Sequence, residues 1–264
     1  EALVLTALLG STMKDEGSQM TMQAQSDNGP ISLLVCDYLS GQLRGYVQYD
    51  ADRLAEAGTD PTLFALFGKG FLGITFDQSA TKDRYQGIVP LEGTSLAHAV
   101  ENYFQQSEQV PTVIRLAMRK SADGDGAGTP HCIAGGVMVQ QLPVGEDGGE
   151  RLDVRADRLS AHDAWDHVGT IAETVKAQEL TDPALSMEAL VWRLYHDEEE
   201  VRVVQGDRLV RGCRCDPAYL ASVIARFPAD ERADMVSENG NIMVDCAFCS
   251  KQFAIDPAAI PTAH

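Results

Sequence analysis

Four of the chain's six cysteines lie in its last fifth as two tight pairs, Cys213 and Cys215 in "RGCRCDP", Cys246 and Cys249 in "VDCAFCSK". Each short pair presents two sulfurs from one turn, so two pairs can close a tetrahedral site, and zinc takes four thiolates at about 2.3 Å. The residues between the pairs are enough to form the body of a small domain. Zinc ribbons usually use C-x-x-C at both ends, and the C-x-C pair departs from that spacing. In extended chain, residues i and i+2 face one side about 6.5 Å apart, near the upper limit for a disulfide. A bridge there is strained, and strained bridges are more oxidising and more labile. The four cysteines therefore predict a zinc site, either purely structural or a sensor that holds zinc when reduced and forms disulfides when oxidised.

Other chemistry finds little support. The histidines at 98, 131, 162, 167, 196 and 264 are scattered, and no H-E-x-x-H occurs. "GKGFLG" is not a phosphate-binding loop, and no G-x-S-x-G elbow is present. His131 beside Cys132 lacks a third partner that would make the thiol a catalytic nucleophile. "CAFC" has no thioredoxin-like βαβ unit before it, which argues against an oxidoreductase. The chain does not read as an enzyme. With 39 acidic against 21 basic residues the net charge is −18, which favours solubility and opposes both nucleic acid and an acidic lipid surface. No apolar run is long enough to span a membrane. The opening "EALVLTALLGSTM" lacks a basic leader and reads as the end of an amphipathic helix that starts upstream, so the chain is expected to be truncated there. Without a secretion signal in view, a reducing cytoplasm is expected, where paired cysteines serve as ligands or redox groups.

The elements that must carry the cysteines are legible from periodicity. Met20, Met22 and Ala24 alternate with polar neighbours, and "ISLLVCDYL" and "LRGYVQY" continue an antiparallel meander. "GFLGITF" and "RYQGIVPL" add strands. A helix follows, striped by Leu96, Val100, Tyr103 and Phe104, capped at Thr94 or Ser95 and stopped by Pro111. "TVIRLAMRK" and "CIAGGVMVQQLP" are two more strands around a flexible loop. Cys36 and Cys132 lie in apolar strands and read as packing residues. This is an α+β domain on antiparallel sheet. The Gly-rich, acidic stretch from Val144 to Ser160 marks a boundary, after which "SAHDAWDHVGTIAETVKAQEL" predicts one helix striped by Trp165, Val168, Ile171 and Val175. A second helix carries Leu190, Trp192 and Leu194 and ends in "DEEE". "DPAYLASVIARFPADERADMVSENGNIMVD" predicts a helix, a helical turn and a hairpin-like return.

The sequence resembles the heat shock protein 33 family, the redox-regulated holdase chaperones of bacteria. The resemblance is carried by "CRC" thirty residues from "CAFC", and upstream by "RYQGIVPLEGTSLAHAVENYFQQSEQVPT", "IAETVKAQEL" and "VWRLYHDEEEV". Family members begin with several dozen residues absent here. The resemblance implies an α+β core over 1–150, a helical linker over 151–205 and a zinc-binding redox-switch domain over 206–264. It implies one zinc per chain on Cys213, Cys215, Cys246 and Cys249, replaced on oxidation by Cys213–Cys215 and Cys246–Cys249 bridges. It assigns no role to Cys36 or Cys132. The expected partners are unfolding, aggregation-prone clients, with a homodimer as an active form under oxidative stress. Loss of zinc is expected to unfold the C-terminal domain, remove the support of the linker helices and bare the stripes around Trp165, Ile171, Leu190 and Trp192. The rival from another class is a constitutive zinc-ribbon interaction module on an acidic adaptor, which keeps its zinc under mild oxidation and binds no unfolded client.

Overall fold

Helix α1 (Ala2–Gly10) is apolar on nearly every side, and a helix of that kind belongs inside a fold. Leu5, Thr6 and Leu9 are fully buried, and the Thr6 hydroxyl is satisfied by donating to the Ala2 carbonyl (2.8 Å). The amphipathic helix expected from the opening residues is thus a buried one, with Leu3 alone of its large side chains exposed. The computed structural model describes residues 1–13, 16–59, 61–120, 132–141 and 161–260.

The helix lies against an antiparallel meander of β1 (Gln19–Ser26), β2 (Ile31–Leu39) and β3 (Gln42–Tyr49). Met20, Met22 and Ala24 alternate inward and are completely buried. Ser40 and Gly41, both at positive φ, make the two-residue turn between β2 and β3 that matches the twist of a hairpin. After short helices α2 (Ala51–Glu56) and α3 (Leu63–Phe67), β4 (Gly70–Asp77) pairs with β1, and β5 (Arg84–Pro90) pairs with β4. Helix α4 (Leu96–Tyr103) is capped by Ser95, whose hydroxyl accepts from the His98 N–H (3.1 Å). Its stripe is as read, with Val100 and Tyr103 fully buried. Pro111 does not end it, however. A π-turn over Phe104–Glu108 and a left-handed Gln109 (φ 56°) stop the helix first.

Strands β6 (Thr112–Lys120) and β7 (Cys132–Gln140) form a separate hairpin pressed between two layers of helix. Gly135 and Gly136 show why glycine is needed on both faces. A Cβ on Gly135 would stand 2.1 Å from the Leu180 carbonyl, and one on Gly136 would stand 2.8 Å from Val4 and from Leu116. Cys132 is exposed, opposite Lys120 in the last pair of the ladder, so the packing role read for it is corrected. The loop 121–131 with His131, and the boundary segment 144–160, lie outside the described residues.

The single helix expected after Ser160 is two, α5 (Ala161–Glu173) and α6 (Ala177–Leu180). The chain extends at Lys176, whose backbone N–H donates to the Glu179 carboxylate (2.9 Å). That break lets both Val175 and Leu180 turn inward. With α7 (Met187–Tyr195) they build a second core of Ala117, Val175, Leu180, Leu190 and Leu194. Two expectations are corrected here. Among the described residues, these helices pack on the β6–β7 hairpin, and their core includes no residue of the cysteine-bearing end. Trp192 is 66% exposed, because it points away from the face shared by Leu190 and Leu194 at i and i+4.

Residues 201–210 are exposed throughout and lead to β8 (Val210–Arg211), which pairs parallel to the start of β3 and completes a six-stranded sheet in the order β5-β4-β1-β2-β3-β8. The remainder is α8 (Pro217–Ile224), α9 (Ala229–Asp234) and the hairpin of β9 (Ile242–Asp245) and β10 (Gln252–Ile255) around a small core of its own. The return through "ENGN" is the turn that bridges Val236 to Ile242. The chain is α+β, as its periodicities suggest.

Candidate metal centre

The two cysteine pairs are presented by two different devices. Cys213 follows β8 after Gly212 alone, and the Gly212 N–H donates to the Leu43 carbonyl (2.9 Å), so the first pair starts from a fixed point on the sheet edge. Asp216 then accepts from the Ala218 N–H (3.0 Å) and Pro217 opens α8, which turns the chain away immediately after Cys215. The second pair sits at the tip of the β9–β10 hairpin. The Cys246 carbonyl accepts from the N–H groups of Cys249 (3.3 Å) and Ser250 (2.8 Å), and Ser250 takes a left-handed φ of 57° to close the turn.

These devices bring all four sulfurs within 4.8 Å of one another. Cys213 Sγ lies 3.5 Å from Cys246 Sγ, and Cys215 Sγ lies 3.6 Å from Cys249 Sγ. A tetrahedral ion with sulfurs at about 2.3 Å requires S···S separations of about 3.8 Å. All six cysteines are free thiols. Among the described residues this is the one group of side chains placed to hold a metal ion. The donor set is soft and, once deprotonated, anionic, which suits zinc.

The electrostatics split the first pair, favouring one thiolate beside one thiol. Burial pushes the Cys213 thiol up, but the Cys215 N–H and the thiols of Cys215, Cys246 and Cys249 together bring it down to about 6. Cys215, hydrogen-bonded to that charge, is pushed up to about 12. A divalent cation bound here would supply the opposite charge that lets the remaining thiols ionise as well.

Residues between the cysteines reach back to the sheet, and sequence reasoning missed them. Arg214 donates through Nη1 to Gln19 Oε1 (2.5 Å) and through Nη2 to Asp37 Oδ2 (3.0 Å). Asp37, with its side chain 4% exposed, also accepts from Arg44 Nε (2.6 Å) and from the Thr21 hydroxyl (2.8 Å). The Arg44 guanidinium stacks 4.1 Å above the Phe248 ring, and Tyr46 meets the same ring edge-on at 6.3 Å. The one available signal was Asp37 itself, a carboxylate inside the apolar run "ISLLVCDYL". Cys36, its neighbour, lies on the inner face of the sheet, where burial pushes its thiol up to about 11. Neither it nor Cys132 belongs to the four-sulfur group.

Comparison with known proteins agrees with this geometry. Residues 1–256 match the family described as "Hsp33 protein". The chain is similar to the "33 kDa chaperonin" of Caulobacter vibrioides, 40% identical over 97% of this chain and 81% of that one. It is also similar to the protein of the same name from Ectopseudomonas mendocina, 36% identical over 98% and 79%. The crystal structure of the 33 kDa chaperonin from Thermotoga maritima shares its fold, with a TM-score of 0.74 at 21% identity over 98% of this chain and 81% of that one.

Proposed function

The chain belongs to the Hsp33 family, and from that premise we propose that it is a redox-regulated holdase, idle while reduced and metal-loaded. Cys213, Cys215, Cys246 and Cys249 hold one zinc per chain in the reduced protein. Two peroxides, one for each cysteine pair, would each take up two electrons and two protons and leave as two waters, forming Cys213–Cys215 and Cys246–Cys249 bridges whose sulfurs no longer serve as thiolate ligands. The observation that carries this reading is the cluster of four free sulfurs within 4.8 Å, at separations a tetrahedral ion needs.

Magnitudes support the consequence. A small domain has roughly 0.05–0.15 kcal/mol of stability per residue, so the unit over 206–264 has far less than the roughly 10–16 kcal/mol that zinc supplies in small zinc peptides. Metal loss therefore unfolds it. The helices of the linker over 151–205 rest instead on the β6–β7 hairpin of the core over 1–150. Their apolar side chains, Ile171, Val175, Leu180, Leu190 and Leu194, reach unfolding clients only once they lift from that hairpin. Gly169, Pro183 and the like-charged run after His196 make them poor helices without that surface. Cytoplasmic location and a dimeric active form are parts of the same proposal. Among the described residues no helix is long and apolar enough to cross a membrane.

The test is suppression of client aggregation by reduced and by peroxide-treated protein, with zinc release followed in parallel. Suppression that rises with zinc release supports the holdase. Zinc retained under mild oxidation with no suppression identifies a constitutive zinc-ribbon module. Hydrogen exchange on the two forms locates the active surface: protection that persists over residues 161–200 while suppression appears would exclude the linker helices as the client site.

A further inference from the structure

We propose that the contact of Arg214 and Phe248 with the outer face of the sheet is a latch that holds metal in the four-cysteine site. The inference rests on the reading of those cysteines as metal ligands. Each knuckle contributes a residue that lies between its cysteines, Arg214 from C-R-C and Phe248 from C-A-F-C, and both land on one patch. The patch is joined through Asp37, whose buried carboxylate binds Arg214 and Arg44 at once, while Arg44 also stacks on Phe248.

Because Arg214 and Phe248 belong to different knuckles, they meet the patch together only while the knuckles are held side by side. A bound ion does this by tying Cys213 and Cys215 to Cys246 and Cys249. Docking and metal binding thus favour the same arrangement, and each must strengthen the other by the same factor. Opening the site strips a hydrogen-bonded arginine from a carboxylate that is nearly inaccessible to water, an interaction stronger than one between neutral groups. The sheet core therefore sets how readily the distant thiols give up their ion, and the same contact reports the state of the metal to β1, β2 and β3.

The experiment uses the full zinc-loaded chain and follows zinc loss to an excess of chelator, a readout independent of chaperone activity. Arg214→Gln is expected to release zinc about tenfold faster, and Arg214→Lys, which keeps the charge, to recover part of the difference. Adding Asp37→Asn to Arg214→Gln is expected to change the rate less than Asp37→Asn does alone, because both remove one contact. Phe248→Leu, which leaves Arg214 in place, is expected to accelerate release about threefold. Tyr219→Ala, on the exposed side of α8, is expected to keep the wild-type rate. Release from Arg214→Gln and Phe248→Leu at the wild-type rate would overturn the latch, as would equal acceleration by Tyr219→Ala. Wild-type protein that binds no zinc would instead overturn the reading of the site itself.

Discussion

In the sheet core, eighteen mutually packed residues are buried, and Leu5, Leu9, Met20, Met22, Leu72 and Ile74 have no exposed surface at all. Around the four cysteines the corresponding cluster has six buried residues, and the best covered, Ile242, keeps 3% of its surface in contact with water. The first region buries far more apolar surface than the second, where metal ligation and docking against the first would have to supply what the small core lacks. A unit of the second kind has a stability that can be removed chemically, by taking electrons from sulfur, without touching any apolar contact. In the proposed switch, that difference lets one chain hold a durable half beside a half that comes apart on oxidation.

The largest expected effect falls on the second region, when bound metal is removed. Chelation is expected to abolish protection from hydrogen exchange across residues 211–260 while the sheet strands over 19–49 and 70–90 stay protected. Changing any one of the four cysteines to serine is expected to weaken zinc binding by more than about a hundredfold, measured by chelator competition. Full affinity in any of these variants would remove that cysteine from the site. The converse experiment attacks the durable half. Leu72→Ala, at a fully buried position, is expected to cost about 2–5 kcal/mol in denaturant unfolding of the core while the chain still binds one zinc. A smaller effect of the same kind comes from Ser95→Ala, which removes the cap of α4 and should cost about 1 kcal/mol.

The smallest effects are expected at the two thiols outside the four-sulfur group. Replacing Cys36 and Cys132 with alanine is expected to leave oxidative activation unchanged, read as aggregation suppression after peroxide. Lost switching in a folded double variant would show that the sensor is elsewhere. Cys36 also has a pH signature. Its folded pKa is about 11 against an ordinary 9.0, so the unfolded chain loses this proton first as pH rises. Core stability from this group is therefore unchanged below about pH 9 and declines between about 9 and 11. Denaturation midpoints over that range should fall more steeply in wild type than in Cys36→Ala.

Much of the durable half was legible because its signals are local. The alternation of Met20, Met22 and Ala24 and the stripe of Val100 and Tyr103 repeat at the period of the element that buries them. The cysteine spacing was equally plain. What the sequence hid are relations between distant residues. Arg214 and Asp37 are 177 positions apart, and nothing in "CRC" says which carboxylate its arginine will find. The break at Lys176 was hidden differently, since the helical stripe runs through it and only the close approach of Leu180 to Gly135 explains why the chain must turn there. The placement of Trp192 could have been read, because it falls out of phase with Leu190 and Leu194.

The exposed segment from Val201 to Leu209 carries no regular structure, and nine such residues span at most about 30 Å. While α7 keeps its seat on the β6–β7 hairpin, the cysteine-bearing end therefore stays within that reach of the helix it follows. In the proposed switch, redocking of a reduced, metal-loaded end onto the sheet of the same chain is then an intramolecular event, with a half-time that does not change when the protein is diluted.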